Sequence, residues 1–184
     1  VKLPNGKSIP VLAYTSPLIH DEKIAGARII LVDISKRKEF EDNLRLKDKA
    51  LNNAAIGIVI TDAEGTAIWT NPAYLALSGK TYVDILHQPA DFYISNGTAQ
   101  HQKMLYNISQ GNPFKGEFKR HRKDGSTYFE ELSITPMKNE KSDQIEYYIA
   151  FFQDITGRKK TEELLLFRES LENLIMNISA DSLN

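Results

Sequence analysis

The chain has 184 residues, 23 Lys and Arg against 24 Asp and Glu, a formal net charge of -1, 41% apolar residues and no cysteine. That length holds one full domain plus a remainder, and the missing cysteine excludes disulfide scaffolds, thiolate metal sites, cysteine nucleophiles and thiol-dependent photochemistry. The near-neutral charge argues against a nucleic-acid partner, and no apolar run reaches the ~18 residues that cross a bilayer, so a cytoplasmic segment without membrane contact is expected.

Residues 4–17 open the chain with an Asn5-Gly6 hairpin signal and an extended run, and residues 30–38 end in Asp33-Ile34-Ser35. Residues 36–53 are charged, free of Gly and Pro, and predict a helix. Residues 57–61 form a short β-branched run, 63–66 its turn, and 67–70 the returning strand. Asn71-Pro72 starts a helix that stops at Ser78-Gly79. A loop with short turns leads to a helix over 99–110, ended by Gly111. Strands are expected over 114–122, 127–137 and 145–153, with Asp124-Gly125 as the strongest hairpin signal. This order predicts an α+β domain with one antiparallel sheet.

The chain repeats itself. Residues 4–17 match 123–136 at an offset of 119, and residues 30–38 match 151–159 at an offset of 121, the difference falling in a loop. The reading is therefore the last third of one module, a linker, a complete second module and a further linker. With no signal peptide and no initiator Met, the chain reads as part of a longer polypeptide.

The string TDAEGTAIWTNPAYLALSG, then GNPFKGEFKRHRKDGSTYFEELSITP, then FFQDIT, resembles a bacterial PAS domain. The resemblance implies C-terminal strands of a preceding PAS domain at 1–35, a helical linker at 36–53, a complete PAS domain at 54–157 and a signalling helix at 158–184. It implies a five-stranded antiparallel sheet with short helices on one side, flanked by amphipathic signalling helices. Asp33 and Asp154 then correspond to the aspartates that tie the last strand to the exit helix. Thr156 and Ser35 stand at the expected N-caps of those helices.

Leu164, Phe167, Leu171, Leu174 and Ile178 recur at heptad spacing. Two readings fit: one amphipathic helix packed on its own sheet, or a parallel homodimer, which the family commonly forms. In the first linker Phe40, Leu44, Leu51 and Ala54 make a weaker stripe broken by Lys47, expected either to pair less tightly than the C-terminal helix or to lie against the sheet of its own domain. The C-terminal stretch RESLENLIMNISADSLN resembles the lead into a GAF-type domain.

No catalytic motif emerges. Neither phosphate-cradling glycine loop occurs, and nothing orders Ser, His and Asp as a triad. His20-Asp21-Glu22-Lys23 is similar to a kinase phosphoacceptor box but lies in a hairpin loop without a following helix. Lys119-Arg120-His121-Arg122-Lys123 reads as a solvated hairpin tip. The chain is expected to be regulatory rather than an enzyme.

Strand alternation suggests the pocket. Tyr128, Glu130 and Leu132 share a face; so do Tyr148, Ala150 and Phe152, and so do Phe118 and Arg120. Ile58, Ile60, Asn71 and Met104 complete the expected pocket lining. Glu130 and Arg120 point inward together, either as an internal ion pair or as polar contacts for a ligand. Residues 94–98 followed by GNPFKG resemble a flavin-binding PAS subgroup. Phe114 and Phe152 depart from that subgroup's Trp and Gln, so FAD is one option. His101 stands ten residues before Gly111, where haem-binding PAS domains place their proximal ligand, although an exposed helix-surface histidine is the simpler expectation. A small metabolite or no ligand completes the options. By resemblance the module serves a histidine kinase or cyclic-di-GMP enzyme, next to GAF, kinase or GGDEF-type domains.

Overall fold

The computed structural model describes residues 1–4, 6–20, 23–91 and 98–181. The chain divides into two compact units, Val1–Ala50 and Leu51–Asn184.

The second unit carries β3 (Gly57–Asp62), β4 (Ala67–Thr70), α2 (Pro72–Ser78), α3 (Tyr82–Ile85), α4 (Ala99–Ser109), β5 (Phe114–His121), β6 (Thr127–Lys138), β7 (Ile145–Asp154) and α5 (Thr156–Asp181). Its strands form one antiparallel sheet in the order β4-β3-β7-β6-β5. Alternate residues of β5, β6 and β7 bury Phe114, Phe118, Leu132, Ile134, Ala150 and Phe152 against Tyr74 of α2, Ile85 of α3, and Met104 and Ile108 of α4. Tyr74 and Phe152 meet with ring centroids 4.4 Å apart. The chain packs so closely there that a Cβ on Gly57 would lie 3.1 Å from the Tyr74 Cα. Asn71 begins α2 as its polar side chain and the following Pro72 require, its Oδ1 accepting the Tyr74 N–H.

One expectation about this sheet needs correction. The inward positions of β3 are Val59 and Thr61, paired with Ala150 and Tyr148, so Ile58 and Ile60 occupy the opposite face. The run Gly57-Ile58-Val59-Ile60 is apolar throughout and gives no period-2 contrast to choose a face by. The loop after Gly79 also holds a helical turn, α3, closed by a capping box between Thr81 and Asp84.

The first unit carries β1 (Val11–His20), β2 (Lys23–Asp33) and α1 (Ser35–Asn52). No described residue before Ile34 is buried. α1 also buries none of its residues, so of the two expectations for its stripe, packing on a sheet is not met; Phe40 is 65% exposed.

The β1–β2 hairpin repeats β6–β7 bond for bond. Val11 faces Asp33, Ala13 faces Leu31 and Pro17 faces Ala27; at the repeat offsets, Glu130 faces Asp154, Leu132 faces Phe152 and Pro136 faces Tyr148. Gly6 and Gly125 both adopt φ 83°, and each donates 2.9 Å to the carbonyl three residues back, on Leu3 and Arg122. Ile34 N–H donates to Pro10 O at 3.1 Å, as Ile155 N–H does to Phe129 O at 2.9 Å. The sequence repeat is a repeat of backbone geometry.

Candidate functional site

The inner face of β5 and β6 carries charge where the rest of the sheet carries hydrocarbon. Glu130 is 2% exposed; its Oε1 accepts from Arg120 Nε at 2.9 Å and its Oε2 from the Tyr128 hydroxyl at 3.0 Å. Burial pushes the Glu130 carboxyl above its ordinary range, and Arg120 and Tyr128 pull it back only in part. The Arg120 Nη2 is buried without a hydrogen-bond partner. The ion pair expected at this spot is therefore present, with one donor to spare.

One turn of the strand further on, Arg122 joins three elements. Its Nε donates to Leu77 O at the end of α2 at 2.9 Å, its Nη2 to Asp154 Oδ2 at 3.0 Å, and its guanidinium lies 4.4 Å from the Tyr128 ring centroid. Asp154 Oδ1 accepts the Thr156 N–H at 2.8 Å and caps α5. Burial works to raise the Asp154 carboxyl, but hydrogen bonds from Thr156 and the Arg122 charge outweigh it and hold it below the ordinary range. The Thr156 hydroxyl accepts the Phe129 N–H at 2.9 Å, while Phe129 O accepts the Ile155 N–H. Glu130 and Asp154 are cross-strand partners, so a polar ladder runs from the core to the first turn of the exit helix.

Several expectations are corrected here. Thr156 is the first helical residue rather than the N-cap: its hydroxyl is bound to β6, and Asp154 does the capping. Ser35 is likewise the first residue of α1, its N–H donating to Asp33 Oδ1 at 2.8 Å. Asn71 is a fully buried clamp, not a pocket-facing group; its side chain holds Ile58 N–H, Tyr74 N–H, Leu51 O and Ile56 O. His101 is fully buried rather than exposed, its N–H bound to Thr98 Oγ1. The basic run is only partly solvated, because Arg120 and Arg122 turn inward and Lys123 pairs with Asp84 at 2.7 Å. Met104, Phe118, Tyr128, Leu132 and Phe152 are buried on the expected face. Residues 94–97 lie outside the described residues.

The reading from sequence missed Arg122 and a second polar cluster. The Tyr74 hydroxyl donates to Asp91 Oδ2 at 2.7 Å, and Lys80 Nζ reaches the same oxygen at 2.7 Å. Burial, then the Asp91 charge, pushes the Tyr74 hydroxyl well above its ordinary value. Alternation from Phe118 and Arg120 would have turned Arg122 inward too; Asp91, in a loop, leaves no periodic signal.

A PAS domain family model matches residues 55–157, more than half of the chain. The chain belongs to the PAS domain family. PAS domains are regulatory sensory modules, and this one is related to signalling proteins. It is 28% identical over 129 residues to a nitrogen fixation regulatory protein of Klebsiella oxytoca, covering 69% of this chain and 26% of that protein. It is 26% identical to a blue-light photoreceptor of Listeria monocytogenes, covering 59% of this chain and 44% of that protein. A PAS domain from Colwellia psychrerythraea superposes with TM-score 0.54 at 26% identity, covering 63% of this chain and 99% of that structure. The chain spans about a quarter of the length of the regulatory protein. Among the described residues no helix is long and apolar enough to cross a membrane.

Among the described residues, apolar side chains of α4, β5, β6 and β7 pack on one another across the inner face of the sheet. Met104, Phe118, Leu132, Ile134 and Phe152 touch within one cluster, none more than 6% exposed. The space beside Tyr74, Lys80 and Asp91 amounts to about 10 Å³, room for one water.

Proposed function

We propose that this PAS domain is a signal-relay module whose output leaves through α5. The observation that carries this reading is the joint of Arg122, Asp154, Thr156 and Phe129, which binds the first turn of α5 to β6 and, through Arg122, to α2. A shift of α2 or of the sheet then changes the bonds that hold the helix start, which is the differential contact that any coupling requires. The described core side chains pack on one another, which favours a relay and dimerisation role. By family resemblance the output is a histidine kinase or a cyclic-di-GMP enzyme, and the partner is a second copy along the α5 stripe. In the full-length polypeptide, Asp154→Ala should uncouple that output from its input while the unit keeps its fold by circular dichroism. A coupled output in that variant rejects the joint.

A second reading, a small-ligand sensor, has one observation behind it: the buried Arg120 Nη2 without an acceptor. A molecule with one acceptor oxygen would satisfy it. Native mass spectrometry of freshly purified protein tests this through a co-purifying mass, and only the unliganded mass argues against it.

A further inference from the structure

Two local rules are broken at the root of α5, and each break offsets the other. The first turn of a helix favours acid, because the aligned amides leave positive charge there. α5 has no acid in its first turn and opens instead with Arg158, Lys159 and Lys160. On the sheet, Glu117 of β5 and Glu131 of β6 are direct cross-strand partners, an arrangement in which like charges repel. Strand alternation puts both on the outer face, opposite the buried Phe118 and Glu130. Gln153, the partner of Glu131 on β7, brings no charge to relieve them.

The helix sets its misplaced cations on this acid pair. Arg158 Nη2 donates to Glu117 Oε1 at 2.6 Å and lies 3.8 Å from Glu131 Oε2. Lys159 Nζ lies 2.7 Å from Glu117 Oε2 and donates to Glu162 Oε2 at 3.2 Å. With the helix swung away, Lys115, 2.9 Å from Glu131, would stay beside two facing carboxylates. The bonds around Asp154 fix where α5 begins, but a helix held at its end alone can pivot there. The contacts of Arg158 and Lys159 with β5 and β6 decide which way it points.

We infer that Glu117 and Glu131 form a salt-responsive latch for the first turn of α5, so that ionic strength sets the direction of the exit helix and is an input to this module. The inference rests on the reading of α5 as the output path. Side chains of Glu117, Arg158, Lys159 and Glu162 are 29–49% exposed, so dissolved ions reach the cluster. The screening length falls from about 30 Å at 0.01 M salt to about 3 Å at 1 M. Salt then weakens the attraction that holds the latch and the repulsion that penalises the released sheet. Both changes favour release.

The chain has no cysteine, so spin labels at Lys103→Cys on α4 and Glu169→Cys on α5 report the helix direction without background. Both positions are exposed, and labelled chains diluted in unlabelled ones give the distance within one chain. The distance distribution should be narrow at about 0.01 M potassium chloride and at least about twofold wider at about 1 M. Glu117→Gln should be as wide at low salt as wild type is at high salt. Glu117→Asp, which keeps the charge, should restore the salt response. A wild-type distribution that salt leaves unchanged overturns the latch, as does a Glu117→Gln distribution as narrow as wild type at low salt. A helix that turns with salt while the output of the full-length polypeptide stays constant upholds the latch and rejects α5 as the output path.

Discussion

At residue scale the carboxylates Glu130 and Asp154 face each other across β6 and β7 and carry opposite pH signs. Glu130 is held above its ordinary value of 4.5. The unfolded chain therefore releases that proton first, and stability falls as pH rises from about 4.5 through the folded value. Asp154 lies below its ordinary 3.8, so its contribution is present above that value and is lost as pH falls through the folded one. Urea midpoints across pH should show the gap between wild type and Glu130→Gln moving against wild type on the alkaline side of that window. The gap between wild type and Asp154→Asn should close only toward strong acid. Arg122→Ala removes an ion pair, a carbonyl bond and a stacked ring, and should cost about 1–2 kcal/mol in urea unfolding, modest because Asp154 is partly solvated. Arg122→Lys should recover less than half of that, since one ammonium cannot keep the planar fork on both Leu77 O and Asp154.

At the scale of elements, α5 exposes Leu164, Phe167, Leu171 and Leu174 at 42–67%. A parallel partner would bury this stripe, and Leu171→Glu would set two carboxylates against each other there. Light scattering should find a dimer for wild type at tens of micromolar and a monomer for Leu171→Glu, whose lost burial costs roughly 1.5–3 kcal/mol per side chain. A wild-type monomer rejects the seam. Elements were legible wherever the pattern had contrast. β5, β6 and β7 alternate, and Asp124-Gly125 marks the hairpin between β5 and β6, so those strands and their inward faces are legible directly. β3 could not be oriented because all its central residues are apolar. His101 was misplaced because a single polar residue on a helix says nothing of which side meets the core. The cap at Thr156 was misassigned because Asp154, two residues earlier, reaches the same amide and leaves the hydroxyl for β6.

At the scale of the molecule, the fold follows from order and turn chemistry, while the polar ladder depends on side chains brought together from β5, β6, β7 and α2. Packing makes its own prediction. Phe152→Ala should cost about 3–5 kcal/mol, since the ring is 2% exposed and lies in tilted contact with Tyr74. Freshly purified wild type should show no visible-region absorbance, and a flavin or haem band would mean that this core opens. The 26 residues of α5 give the joint a mechanical advantage. At 1.5 Å per residue the helix is a lever roughly 39 Å long, so a tilt of about 5° at Thr156 sweeps its far end through about 3 Å. An adjustment of tenths of an ångström in the bonds around Asp154 is thus delivered as a displacement of most of a side chain's width, without the sheet having to move appreciably itself.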